Sequence, residues 1–598
     1  MLRKKISNCV ILSALIVCMF CAPLVATGLR GALAESEDIN LIAPPTVIEE
    51  VLNAEAFEGL GNGTANGALL YLSEEGNIVD GEGAVIESLQ NAVAALKGKV
   101  VFNLAVESEG QAQALLNYTV ADMTFTDATI VSSSAEILGK IKESDGAPWF
   151  RCALDLTGGV EDVSSAILAA NTAGANIVVL SQDFATEETV YKFQAMAKTV
   201  WVKLNGSEEF DVLKGLASGA FGLIGNAESI KSAFRIFEGT EGDVILRRPL
   251  NIAHRGDPYL YNENSIEGCE SAYNNGATHL ELDFRLTQDG EIVVMHDASI
   301  NRTTNGTGNV ASLTLAQIKN CSITKNIAGV ETGTASDIPS IDDVFAFMQE
   351  NDTVLYFEIK SEEEALVDKM KTKIEEYGLQ DRIVVISFSK TQIERVRTKM
   401  PYLWALDLNY SSITSFDEYV MNLCYAEAGY DIPKAMATDT GFVSDMIDRG
   451  FMPMFWTYDD QSSVYSAVWD GVFGITNNCA SETGAITCGI AVDECRAEKD
   501  SVLDKTAEIA GKTIVSNYGA GEQTVCKIVA VKDCGTYAEA VVIGQAQSVY
   551  ALDTVKIIYG SKESAGCAGT LAEGALPVCA AVAVLSVVVL LRRNKRKY

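Results

Sequence analysis

Three short motifs occur twice in this chain at one spacing. Ser88-Leu89 returns as Ser340-Ile341, Ala153-Leu154-Asp155-Leu156 as Ala405-Leu406-Asp407-Leu408, and Gly219-Ala220-Phe221-Gly222 as Gly471-Val472-Phe473-Gly474. Each pair is about 252 residues apart, and independent coincidences would not share one offset. Two copies of one folding unit follow. Between Val85 and Phe237 the apolar runs VVFNLAV, FRCALDL, ANIVVL, TVWVKL and FGLIG alternate with amphipathic helical stretches. Such alternation predicts a parallel sheet covered by helices.

The second copy, residues 243–490, offers NIAH, HLELDF, EIVVMH, VLYFEI, IVVIS, LWALDL, MPMFWT and VFGIT as strands. Eight strands in a segment of this size predict a TIM-type (β/α)8 barrel. An open doubly wound sheet is the alternative, but no Gly-rich turn follows the first strand to hold a dinucleotide. The first copy, residues 35–242, reads as a degenerate barrel-like α/β repeat. Subtracting the offset places the counterparts of the segment Asn251 to Asp297 inside or just beyond the N-terminal leader, so its first strands are expected to be lost or rebuilt. Aligning FNLAVES with LYFEIKS sets Ala105 against Glu358 and Glu107 against Lys360, and no histidine precedes His254. That copy is expected to be catalytically silent.

The chain has 46 Lys and Arg against 80 Asp and Glu, a net charge of −34. No nucleic acid partner is expected, since a phosphate-backbone binder needs a basic face. Any phosphate site must carry its own local positive charge. Met1–Ala34 has a basic start, an apolar run and Ala32-Leu33-Ala34, the pattern of a cleaved secretory signal. Residues 491–563 are β-branched and Gly-punctuated, a small β-rich module, and 564–574 read as a linker. Residues 575–591 are apolar and 592–598 basic, which predicts a C-terminal single-pass membrane anchor with a cytoplasmic tail. The expected location is the cell surface, with the ectodomain outside. Cys479, Cys488, Cys495, Cys526, Cys534 and Cys567 fit no zinc spacing and are open to disulfide pairing.

The chemistry gathers between Asn251 and Gly308, which holds all three histidines. Glu281 and Asp283 are two apart on a strand and leave one face, inward at a barrel mouth. With Glu358, at the end of VLYFEI, they make an oxygen-only trio suited to Mg²⁺ or Ca²⁺. An ion network with Arg285, Lys360 or Arg255 would account for the same carboxylates. His254 and His296 end apolar runs and supply a base and an acid near neutral pH. His279 stands at the start of its strand and reads as structural. Arg255 and Lys360 supply positive charge for a phosphate, Glu263 lies on the loop over the mouth, and Trp456 offers an apolar wall.

HRG, NEN-S-x-E, ELDFRLTQDGEIVVMHD, RTTNGTG, FEIKS, FWTYDD and GVFGITN together resemble the glycerophosphodiester phosphodiesterase family across essentially all of the second copy. Asn262 stands where that family usually has proline before Glu-Asn. The resemblance implies metal-dependent hydrolysis of glycerophosphodiesters to glycerol 3-phosphate and an alcohol. It implies His254 and His296 as the acid/base pair, Glu281, Asp283 and Glu358 as ligands of Ca²⁺ or Mg²⁺, and Arg255, Glu263 and Lys360 at the substrate phosphate and metal. Phospholipase C- or D-like action on intact or lyso-phospholipids, or on a cell-wall glycerophosphate polymer, is the neighbouring reading. A surface binding or adhesion scaffold is the reading from another class.

Overall fold

The repeated motifs occupy matching points of two closed barrels. The computed structural model describes residues 41–144, 148–237, 244–409, 415–437 and 439–484, with strands at 490–495, 513–518, 522–533, 538–544, 555–559 and 587–591. The first barrel has parallel strands Thr46–Glu50, Gly67–Leu72, Val101–Ala105, Ala128–Ser132, Arg151–Asp155, Ile177–Ser181, Thr199–Lys203 and Gly222–Gly225. The last pairs with the first, which closes the ring. The second barrel runs Leu250–His254, His279–Leu286, Val354–Ile359, Ile383–Ser387, Trp404–Asp407, an interrupted sixth strand, Met454–Tyr458 and Gly474–Asn477. The sixth strand pairs with the fifth through Ala428–Tyr430 and with the seventh through Ile432–Pro433, on either side of Asp431.

Two expectations are corrected here. The opening strands of the first copy are intact. The second barrel carries an extra segment between Val294 and the helix Ile341–Glu350, where the first has only the short strand Val85–Ser88 before the helix Leu89–Leu96. An offset that holds after an insertion fails before it: the third strands start at Val101 and Val354, but the first strands start at Thr46 and Leu250. The run EIVVMH is not a barrel strand either. Ile292–Val294 returns antiparallel along the second strand through a tight turn with Gly290 at φ 77°, and a parallel neighbour would need a crossover of a dozen residues. The true sixth strand, AGYDIP, carries Gly, Asp and Pro, which are poor strand formers.

The matched motifs repeat because each performs one local task twice. Ser88 Oγ accepts the Asn91 N–H to cap its helix, and Ser340 caps the corresponding helix through its N–H and hydroxyl, both bonded to Asp343. Gly219 and Gly471 lead into the eighth strands at φ 77° and 83°, a left-handed conformation that glycine adopts without strain.

The barrels meet foot to foot, through the N-terminal ends of their strands. His279 Nε2 bonds Ala195 O at 2.9 Å, Asn176 Nδ2 donates to Gly450 O at 2.8 Å, and Asn66 Nδ2 donates to Asp448 Oδ2 at 3.2 Å. Arg449 pairs with Asp127 at 2.8 Å. Phe221 and Phe473, counterparts in the repeat, pack edge to face with centroids 5.1 Å apart. One continuous apolar cluster runs through the junction and includes both, with Trp404, Phe451 and Leu246. Both mouths therefore open away from the junction.

Beyond the barrels, 490–495, 513–518, 522–533 and 538–544 form a four-stranded antiparallel sheet. Val587–Leu591, the end of the expected membrane segment, is a strand antiparallel to Val555–Tyr559; its β-branched valines suit one. Among the described residues no helix is long and apolar enough to cross a membrane. The N-terminal leader, the linker, the basic tail and residues 575–586 lie outside the described residues.

Candidate active site

The mouth of the second barrel brings the nine expected residues to one end of the fold. Because the return strand is not part of the ring, the second and third barrel strands are neighbours, and Asp283 lies directly across from Glu358 in the ladder. His254 lies across from Glu281 in the same way. The trio is thus built by adjacent parallel strands rather than by strands one apart. One carboxylate oxygen from each of Glu281, Asp283 and Glu358 falls within 4.8 Å of the others, and all three residues are buried. His279 shares their strand but stays at the foot, bonded to the first barrel.

The loop after the first strand is held in an uncommon shape. Arg255, Gly256 and Asn264 have φ of 56°, 80° and 57°. Positive φ at an arginine costs energy and tends to mark functional sites. A Cβ at Gly256 would lie 2.9 Å from the backbone carbon of Gly268 in the following helix, which explains the glycine of HRG. The turn aims Arg255 at the carboxylates: its N–H donates to Glu281 Oε2 at 3.0 Å, Nη1 to Glu263 Oε2 at 3.1 Å, and Nε lies 3.3 Å from Asp283 Oδ2. Asn264 Nδ2 donates to Asp283 Oδ2 at 2.8 Å. Asn262, in place of a proline, is buried and donates to Ile323 O and Ser336 Oγ, tying the loop to the hairpin Ser322–Lys325 and Glu331–Asp337.

Lys360 Nζ lies 2.6 Å from Glu358 and 3.2 Å from Asp283. Trp456 donates its Nε1–H to Asp431 O at 3.0 Å. Its ring meets Phe388 edge to face at 5.8 Å, and Lys360 Nζ lies 5.7 Å from the Phe388 centroid. Arg285 does not pair with the trio. It donates to the backbone carbonyls of His296 and Lys360, bracing both.

Several functional neighbours were not singled out from sequence. His254 Nδ1 lies 2.6 Å from Asn478 Oδ1, and Asn478 Nδ2 donates to Asp459 Oδ1 at 2.8 Å. His296 Nδ1 lies 2.7 Å from Asp297 Oδ1, and Arg302 grips Asp297 and Glu263. Asp297 and Arg302 stood inside the quoted motifs, so the signal was present. Asn478, past the eighth strand, becomes a partner of His254 only through barrel closure.

The trio is electrostatically incomplete. Burial works against the charge on Asp283, but Lys360 and Arg255 outweigh it and hold that carboxyl far below its usual range. Burial and the Asp283 charge push Glu358 up to about 7. Burial, Asp283 and Glu358 push Glu281 well above its usual value, and Glu281 Oε1 is buried without a hydrogen-bond partner. Oxygen-only donors with an orphaned carboxylate oxygen fit a hard divalent cation. A cation held there would have to displace the protons that burial favours on Glu281 and Glu358. Calorimetric titration of the chelator-stripped protein with Mg²⁺ or Ca²⁺ is expected to show affinity rising from pH 6 to pH 7.5, about tenfold per unit for each proton released. Affinity independent of pH would mean that the trio is already ionised.

The first barrel's mouth is differently equipped. By ladder register Glu50, Leu69, Tyr71 and Ala105 stand where His254, Glu281, Asp283 and Glu358 do. Tyr71 OH and Lys203 Nζ both bond Glu50, at 2.5 and 2.6 Å. A cleft of about 680 Å³ beside them is lined by Glu49, Asn53, Asn205 and Asn226. Among the described residues the second barrel's trio is the one His/Cys/Asp/Glu group placed to hold a metal.

A closed parallel barrel with two imidazoles and two cations around a carboxylate-lined mouth defines the class, an α/β-barrel enzyme. Residues 254–479 match the model of the glycerophosphoryl diester phosphodiesterase family. The glycerophosphodiester phosphodiesterase of Caldanaerobacter subterraneus subsp. tengcongensis is 36% identical over 162 residues, 26% of this chain and 65% of its own length. That of Bacillus subtilis is 31% identical over 246 residues, 39% of this chain and 84% of its own. An Oleispira antarctica phosphodiesterase, solved in complex with the product sn-glycerol-3-phosphate, aligns with 40% of this chain and 95% of its own at 22% identity, TM-score 0.37. The chain belongs to the glycerophosphodiester phosphodiesterase family.

Proposed function

We propose that the second barrel hydrolyses glycerophosphodiesters to glycerol 3-phosphate and an alcohol, with a divalent cation at Glu281, Asp283 and Glu358, His254 as base and His296 as acid. The observation that carries the assignment is the unlike setting of the two imidazoles. Asn478 spends its N–H on Asp459, so its oxygen must accept from His254 Nδ1. His254 Nε2, 3.9 Å from Glu281 Oε2, then carries the lone pair that takes a proton. Burial, with Arg255 nearby, drops His254 to about 3 and keeps it neutral. His296 instead donates to a carboxylate. Burial, with Arg255 and Lys360 nearby, leaves His296 below its ordinary value too, and Asp283 and the hydrogen bond to Asp297 limit the fall. Burial works against the charge on Asp297, yet hydrogen bonds from Arg302 and His296 hold it at about 2, so it stays ionised and favours the imidazolium.

Arg255 and Lys360 hold the phosphodiester anion across the trio. His254 Nε2 takes the proton of the glycerol hydroxyl beside the phosphate, and that oxygen attacks phosphorus. The bond to the leaving alcohol breaks as His296 Nε2 gives that oxygen a proton. Water then opens the cyclic phosphate with the two roles exchanged. A bound divalent cation would supply positive charge to the phosphate oxygens and to the attacking hydroxyl. The side chains of Trp456 and Phe388 wall one side of the mouth. On the Met1–Ala34 pattern, we place the enzyme outside the cytoplasm.

The test is release of glycerol 3-phosphate from glycerophosphocholine by the purified protein with Mg²⁺, with Ca²⁺ and with chelator. Release with a metal and none with chelator is expected. Undiminished release in chelator would sink the metal assignment, and no release under any condition would sink the substrate class.

A further inference from the structure

We infer that Arg302 is a positioning residue of the leaving-group step, acting through Asp297 on His296. In the mechanism above it serves only to keep Asp297 ionised. It lies on the extra segment that only the second barrel carries, away from the barrel strands. All five of its N–H groups are committed. Nε donates to Asp297 Oδ2 at 2.7 Å and Nη2 to Asp297 Oδ1 at 3.2 Å. Nη2 and Nη1 donate to the two oxygens of Glu263, at 2.6 and 3.1 Å, and Nη1 donates to Ile327 O at 2.8 Å. Asp297 in turn holds His296 Nδ1, and Glu263 holds Arg255. One planar cation thus fixes the carboxylate behind the acid histidine and the carboxylate behind the phosphate-binding arginine.

Geometry makes this a task for arginine. Two carboxylates are gripped at two edges of one rigid plane, and a lysine ammonium offers three donors without that plane. Asp297 is half-exposed and Glu263 is buried, so without Arg302 the Asp297 side chain is free to turn away from His296. The ring then loses its orientation and the support of its protonated form. The alcohol-expelling step suffers, whereas expulsion of a stable anion such as p-nitrophenolate does not need a proton.

This inference rests on the assignment of His296 as acid, and the experiment separates the two. In the full chain, Arg302→Lys and His296→Ala are each compared with the parent on glycerophosphocholine and on the p-nitrophenyl ester of glycerol 3-phosphate. Arg302→Lys is expected to lower kcat on the first by ~10²-fold and on the second by no more than about threefold, with KM little changed. Asp297→Asn, which keeps size and shape, should give the same split, and the double variant should lose no more than either alone. Because the chain has only three histidines, ¹⁵N-histidine spectra can follow His296 without activity: its Nδ1–H tautomer should dominate in the parent and mix in Arg302→Lys. A split in His296→Ala with equal losses on both substrates in Arg302→Lys overturns this inference alone. No split in His296→Ala overturns the acid assignment and this inference with it.

Discussion

His254→Gln is expected to lower turnover of both glycerophosphocholine and the p-nitrophenyl ester by ~10³-fold. Glutamine keeps much of the side-chain length and can still reach Asn478, but it cannot accept a proton at neutral pH. The attacking hydroxyl must be deprotonated whatever group leaves, so both substrates suffer. His296 variants, by contrast, should spare the activated ester. The imidazole contributes one hydrogen bond at the mouth, worth ~1 kcal/mol, so the melting temperature should stay within about 4 °C of the parent. Steady-state kinetics beside a thermal melt checks both halves. A folded His254→Gln protein working near the parental rate would remove the assignment of the base.

The second large effect concerns stability. A fragment of residues 241–484, lacking the first barrel, is expected to be insoluble or to lose its cooperative melt. The sequence suggested a catalytically silent repeat, and its foot is buried against the catalytic barrel's foot. Removing it would expose Trp404, Phe451 and Phe473, which are now core, and would strip partners from His279 and Arg449. Each buried polar group left unpaired costs about 1–3 kcal/mol, and each large apolar side chain returned to water about 1.5–3 kcal/mol. Together they rival the ~5–15 kcal/mol that holds a typical domain. Circular dichroism and calorimetry of the fragment against residues 41–484 decide the point. A fragment with the parental melting temperature would show the first barrel to be dispensable after all.

Much of the site could be read from residue order because strand-end motifs carry it. Glu281 and Asp283 share one strand and parity turns both inward, while His254-Arg255-Gly256 and Glu358 with Lys360 straddle the ends of theirs. What stayed hidden depends on closure. Asn478 reaches His254 only because the eighth strand pairs with the first. Arg302 reaches Glu263 because an irregular segment folds over the mouth, and no periodicity marks such a segment. The barrel itself was legible in its strand count, but by a compensating error. A hairpin return rich in Ile and Val read as a ring strand, while the true sixth strand, broken at Asp431, did not read as one. Composition favoured the wrong run in both cases, because ring membership is settled by pairing and not by propensity.

The junction between the barrels has the form of a homodimer contact written into one chain. Where the second strand of one barrel begins, the approach to the seventh strand of the other meets it, and the relation holds in both directions: Asn66 with Asp448, His279 with Ala195. Phe221 and Phe473, identical positions of the repeat, touch each other, as residues on a two-fold axis must. In a true symmetric dimer any change at one mouth is made at both. Covalent fusion lifts that constraint, so one mouth could lose its histidines and ligands while its foot kept the partner's shape. The result is a molecule with a polarity: a reactive pole and, facing the opposite way, a pole that selection is free to shape for something other than hydrolysis.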